Sequence, residues 1–191
     1  MAADPVLAQH SEALALFGGL VHAVADDQWD RPTPCTDWTV RDLVNHVTGE
    51  QFWVPPLVTE GRTVADVGDE LAGDLLGDDP AGAWDRGAAG AAAAFAAPGA
   101  LERTVQLSYG PTRAMAYCTE LIADVVVHAW DLARGIGADD RLPPDLVEFS
   151  IKEVMPYADG LAASGMYAEP LEVPPGADAQ TRLLALLGRK G

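Results

Sequence analysis

Residues 112–137 read TRAMAYCTELIADVVVHAWDLARGIG, and their periodicity decides the fold class. Met115, Leu121, Ile122, Val125, Ala129 and Leu132 recur at spacings of three and four, which aligns them on one face of an α-helix. The run Val125-Val126-Val127 favours extended backbone locally, because β-branched side chains are stiff and suit a pleated surface. Length arbitrates. Strands rarely exceed about ten residues, and this unbroken pattern is more than twice that long. Gly135 and Gly137 provide C-terminal stop signals, so a helix is expected over 112–136.

The chain on either side repeats this signal. Thr39 is a good N-cap with Asp42 at N3, and Trp38 and Leu43 have the N′–N4 spacing of a hydrophobic staple. Val40, Leu43, Val44, Val47 and Phe52 carry the apolar face over 39–54, where Pro55 and Pro56 are expected to stop the helix. Leu7, Leu14, Leu16, Phe17, Leu20, Val21 and Val24 form the stripe of an earlier helix over 6–25. A proline-interrupted loop, DDQWDRPTPCTDW, joins the two. Asp79 and Pro80 read as N-cap and N1 of a helix over 80–97, whose alanine-rich body GAAGAAAAFAA packs closely and ends at Pro98-Gly99. Over residues 63–97 as a whole the signal is mixed. ERTVQLSYGP, just before the longest helix, is extended or a small hairpin arm. A further helix is expected from Pro144 to Ala162, then loop, then a closing helix in TRLLALLGR. With no internal repeat and no interdomain linker, residues 1–191 are expected to form one all-α domain. Its architecture is an antiparallel four-helix bundle with short accessory helices.

Composition narrows the partners. The 191 residues include 29 acids and 12 bases, a net charge of −17, which repels phosphate backbones and anionic lipid. Neither nucleic acid nor a membrane is an expected partner. No apolar run reaches the roughly 18 residues of a membrane helix, the start lacks a basic secretory leader, and Cys35 and Cys118 offer at most one bridge. A reduced, cytoplasmic protein, monomer or homodimer, is expected. Cys35 has no basic neighbour in sequence beyond Arg31, and neither cysteine is expected to take part in chemistry.

Four histidines are available. Within the first helix, His10 and His22 have no acid or histidine at a same-face spacing and read as exposed or hydrogen-bonded helix residues. His128 follows Asp124 by four residues, so both project from one helix face, one that continues through Leu121 and Val125 into the core. An Asp and a His on an apolar face require a hydrogen bond, an ion pair or a metal. His46, flanked by Val44 and Val47, points inward from a second helix. Two imidazoles and one carboxylate make a facial donor set with open coordination positions, the pattern of catalytic rather than structural metals. Glu50, four residues after His46, is placed to handle a proton, act beside the ligands or add a fourth. Trp53 and Tyr117 are candidate pocket walls.

TPCTDWTVRDLVNHVTGE (33–50) and DVVVHAWDLARGIG (124–137) resemble the actinobacterial branch of the DinB/YfiT-like superfamily. That branch is related to the metal-binding N-terminal domain of mycothiol-dependent maleylpyruvate isomerase. DQWDRPTPC and QTRLLALLGR share the resemblance, which thus spans nearly the whole chain. It implies a bundle holding a divalent metal, usually zinc or nickel, with ligands falling on His46, Asp124 and His128. The isomerase has Glu where this chain has Asp124. It also has a C-terminal domain that helps its activity and for which 191 residues leave no room, so the resemblance does not carry maleylpyruvate isomerisation itself.

The expected function is a metal-dependent enzyme that uses a low-molecular-weight thiol such as mycothiol. It would act on a small electrophilic substrate by sulfur transfer or by addition that permits isomerisation. The alternatives are a thiol-independent metal enzyme of a biosynthetic pathway and a non-catalytic module binding metal or a small ligand.

Overall fold

A computed structural model of the chain describes residues 4–157, 160 and 168–190. The long helices are α1 (Pro5–Val21), α2 (Val40–Val54), α4 (Pro80–Ala96) and α5 (Ala114–Ile136). A four-residue α3 (Val64–Val67) precedes α4, while α6 (Pro144–Val154) and α7 (Ala179–Leu186) follow α5. A hairpin of β1 (Thr104–Leu107) and β2 (Gly110–Arg113) is the one sheet among the described residues. The protein is thus mostly helical with a small two-stranded arm.

Local chemistry sets the helix starts. Asp4 accepts from the Val6 amide ahead of Pro5, and Asp79 accepts from Gly82 N ahead of Pro80. Thr39 and Asp42 form a full capping box: Thr39 Oγ1 accepts from Asp42 N, and Asp42 Oδ2 accepts from Thr39 N at 2.9 Å. Thr63 and Asp66 repeat the box at α3, within the stretch of mixed sequence signal. Gly137 ends α5 in the left-handed region with φ 74°.

α5 is buried on nearly every side. It packs on α1, α2 and α6, α4 packs on α1 and α2, and α7 closes over α6. That enclosure explains why Val125, Val126 and Val127 are helical: all three are buried, and packing outweighs the small helix-propensity loss of β-branched residues. Between α1 and α4, the Phe17 and Trp84 rings pack at a tilt of 49° with centroids 4.7 Å apart. Gly18 admits the indole, since a Cβ there would lie 2.7 Å from Trp84 Nε1.

Several boundaries differ from the sequence reading. α1 ends at Val21 rather than near residue 25, and residues 22–25 close as tight turns through Ala23 N→Leu20 O and Val24 N→Val21 O. α5 starts at Ala114 rather than 112, because Thr112 and Arg113 pair with Val105 and Thr104. The prolines end the α-helical bonding of α2 without turning the chain away. Pro55 keeps helical angles, and Pro55–Thr59 form a wide turn closed by Glu60 N→Pro55 O, as expected when two successive residues lack amide donors. α7 begins two residues earlier than expected because Asp178 caps it. α6 reaches Val154 and one further 3₁₀ turn, Met155–Tyr157; the expected continuation toward Ala162 falls largely outside the described residues. No described helix is long and apolar enough to cross a membrane.

Candidate metal centre

The capping box starts α2 so that His46 emerges on the side facing α5. One turn of α5 separates Asp124 from His128. His46 Nε2 lies 3.9 Å from Asp124 Oδ2, and His128 Nε2 lies 3.4 Å from Asp124 Oδ1. The three donor atoms are all within 4.8 Å of one another. The imidazole rings meet edge to face at 5.3 Å, and Trp38, the residue just before the box, lies 4.9 Å from the His46 ring.

A carboxylate stands behind His128. Its Nδ1 is 2.9 Å from Asp131 Oδ2, which fixes the ring and leaves Nε2 directed toward Asp124. Asp131 is fully buried and is gripped by Arg189, whose Nε donates to Oδ1 and Nη2 to Oδ2 at 2.9 and 2.7 Å. The Cys35 thiol also donates to Asp131 Oδ2 at 3.2 Å and lies 3.8 Å from His128 Nδ1. Cys35, His128 and Asp131 form a second close donor group, but the Arg189 guanidinium already occupies the cationic role beside it.

His46, Asp124, His128 and Cys35 border a cavity of about 1110 Å³, whose described walls also include Glu50, Trp53, Tyr117, Glu120, Tyr109 and Arg189, while Asp131 is buried behind it. The structure thus brings Trp53, Tyr117 and Glu50 together with His46, Asp124 and His128. Burial, with the Asp124 charge next, raises the Glu50 carboxyl from its ordinary range to about 7. Burial lowers the His46 pKa, partly opposed by Asp124. At His128, burial disfavours the charged form, yet the Asp124 carboxylate and hydrogen bonds to Asp124, Asp131 and Cys35 lift it well above the usual imidazole range. Burial likewise disfavours charge on Asp131, but its bonds to His128 and Arg189 hold it below the usual carboxyl range. Tyr109 donates a short hydrogen bond to Glu120 across the cavity wall.

The donor chemistry fits a borderline divalent ion: two imidazole nitrogens and one carboxylate oxygen converge from two helices, one imidazole oriented by a second carboxylate. Asp131, Arg189 and Cys35 were not expected at the site. Asp131 had a readable signal, three residues after His128 on the same helix. Arg189 had none. The expectation that Cys35 lacks basic neighbours is corrected: Arg189 Nη2 lies 3.7 Å from its sulfur, brought there by the fold from 154 positions away. Both cysteines are free. The outer histidines also divide. His22 is exposed and bonds Asp85 at 3.0 Å, as expected of a surface histidine. His10 is buried against Phe95, and its Nε2 has no hydrogen-bond partner among the described residues, contrary to expectation.

The architecture and donor set define a helical protein in which His46, Asp124 and His128 could hold a metal ion beside a large cavity. Residues 10–133 match the family described as the mycothiol maleylpyruvate isomerase N-terminal domain, and the chain belongs to that family. It is similar to two uncharacterized proteins of Mycobacterium tuberculosis, MT0763 of strain CDC 1551 / Oshkosh and Rv0738 of strain H37Rv. Each is 36% identical over 143 residues, covering 75% of this chain and 73% of the relative. Its fold also resembles the crystal structure of a His-to-Ala mutant of mycothiol-dependent maleylpyruvate isomerase. That match has a TM-score of 0.60 and 13% identity, and covers 84% of this chain and 71% of the other.

Proposed function

We propose that this protein is a metal-dependent enzyme that uses a low-molecular-weight thiol of the mycothiol type to transfer sulfur to, or isomerise, a small electrophilic substrate. In this reading α1, α2, α4 and α5 are the four members of a DinB-like antiparallel bundle, a single domain working in the reducing cytoplasm. The observation that carries the reading is the convergence of His46, Asp124 and His128 from two helices, with donor atoms within 4.8 Å, beneath a cavity shared with Glu50. His46, Asp124 and His128 would hold one divalent ion, zinc or nickel, with open positions left over. When bound, such an ion supplies Lewis acidity that lowers the pKa of a thiol.

The chain's own residues supply the rest. Asp131 holds the His128 ring by Nδ1, so that Nε2 stays turned to the site. Glu50, which shares the cavity with the donor set, is placed to accept the thiol proton at a carboxylate oxygen and to return it later. The thiol sulfur adds to the electrophilic carbon, forming a C–S bond as the π pair moves into the conjugated group. Reversal of the addition after bond rotation is isomerisation, whereas protonation of the adduct is transfer. Trp53 and Tyr117 wall the space. The cavity's volume, about 1110 Å³, exceeds what one small ligand fills and suits a thiol and a second substrate together.

The test is elemental analysis after zinc or nickel supplementation, joined to a thiol-consumption assay with mycothiol. One ion per chain in the wild type is expected, together with its loss in His46→Ala and His128→Ala and thiol-dependent turnover only of the loaded protein. Turnover without any thiol would instead favour a thiol-independent metal enzyme.

A further inference from the structure

We infer that the electrophile accepted in this cavity is uncharged and apolar, bearing no carboxylate or phosphate group. The inference rests on the reading of the cavity as a two-substrate site and names the class of its second substrate.

Lysine and arginine are scarce around this space. Among the described cavity walls the only arginine or lysine is Arg189. It is already engaged: Nε and Nη2 donate to Asp131, and Nη1 donates to the Leu187 carbonyl at 3.1 Å. The residues outside the described set contain no lysine or arginine at all, so none of them can add a cation to the walls. The acids face the other way: Glu50, Glu120 and Asp124 share the cavity. A divalent ion on the His–Asp–His set would offset Asp124 and seat the thiol, and beyond that set the described walls offer an anionic group on the partner substrate no unengaged guanidinium or ammonium.

An anion entering this space would give up water, meet carboxylates and gain no guanidinium or ammonium. A buried carboxylate without a cation or several donors is strongly disfavoured. An uncharged molecule meets the opposite situation. Leu57, Leu107, Leu121 and Val154 line the cavity with aliphatic surface, and Trp53 and Tyr157 add aromatic faces. The Tyr109 hydroxyl already donates to Glu120 across the wall, so it is not held in reserve for an anionic ligand.

The experiment compares two electrophiles with one carbon skeleton, dimethyl maleate and maleate, offered with mycothiol to the zinc-loaded protein. In both the S–H adds across the C=C bond: the C–S bond forms, the π pair passes to the neighbouring carbon, and that carbon takes a proton, with no net oxidation. Each rate is divided by the uncatalysed rate at the same pH. Binding of each compound is followed separately by tryptophan fluorescence, since Trp38 and Trp53 line the cavity. The diester is expected to quench saturably and to be accelerated at least 100-fold more than maleate, with no saturable quenching by maleate at tenfold higher concentration. Leu107→Arg, which supplies a guanidinium on the hairpin wall away from the donor set, should narrow that gap at least tenfold. Maleate binding or acceleration equal to that of the diester overturns the inference. So does failure of both compounds to bind, or a folded Leu107→Arg protein with the gap unchanged. Saturable diester binding without acceleration supports the substrate class and counts against the catalytic reading instead.

Discussion

The Arg189 guanidinium grips the buried Asp131 carboxylate across 58 residues of sequence, and the same carboxylate oxygen accepts Nδ1 of His128. A residue near the end of the chain thereby sets the orientation of an imidazole in the middle of the longest helix. Arg189→Met should leave the buried Asp131 carboxylate with only His128 and Cys35 as partners and lower stability by up to about 3–5 kcal/mol in denaturant titrations. Zinc affinity, read by competition with a chelator, should fall about 10–100-fold, as losses of groups that orient ligands do. The double variant Arg189→Met/Asp131→Leu should recover much of the stability without recovering the affinity. Equal affinity in wild type and both variants would show that the pair is structural alone.

His10 should make the protein acid-sensitive. Burial lowers its pKa from 6.5 to about 4, so over that window the unfolded chain carries a proton that the folded one does not. Stability should therefore fall as pH drops from about 6.5 to about 4 and level off below, by about 3 kcal/mol at most. Urea titrations of His10→Leu and wild type should diverge across that window in favour of the variant, and a constant difference between them would rule out this source.

Glu50 has the opposite sign. Its folded pKa of about 7 lies above the ordinary 4.5, so its contribution is fully present below pH 4.5 and is lost as pH rises through 7. In the metal-free protein, Glu50→Gln should gain up to about 3 kcal/mol over wild type at pH 8 and little at pH 4. The same change should lower thiol-dependent turnover of the loaded protein by about 100-fold or more. A more stable but slower variant is the expected signature; loss of stability at pH 8 would contradict it.

Stripping the metal should lower the melting temperature but keep the helical circular dichroism spectrum. The core built around Phe17, Trp84, Ile122 and Leu132 does not depend on the site. Re-addition of zinc should restore the lost stability in wild type and not in His128→Ala. Unfolding of the stripped protein would mean that the site, rather than the apolar core, carries the fold.

Much of this was legible in the sequence because helices advertise themselves through local rules. The capping box at Thr39 and Asp42, the N1 proline at 80 and the i, i+4 pair Asp124–His128 are all short-range patterns, and each appears in the structure. The hairpin at 104–113 was readable only as a possibility, since eight paired residues carry little signal, and it took the first two residues expected of α5. Arg189 and Cys35 were unreadable for a different reason. Their roles arise from contacts 58 and 96 residues long with Asp131, and spacing rules reach about one helical turn. His10 failed because a stripe of apolar neighbours fixes which face is buried, not whether an imidazole there finds a partner.

The Arg189–Asp131 pair also imposes an order on synthesis. His46, Asp124 and His128 leave the ribosome well before residue 189, so the nascent chain carries the complete donor set while Asp131 still lacks its guanidinium. Until then the Asp131 carboxylate has only His128 and Cys35 as partners, and burying it without its guanidinium is unfavourable. Fixing of the His128 ring is thus tied to the arrival of Arg189, beyond α7, and a ribosome stalled before codon 189 would present His46, Asp124 and His128 without that support.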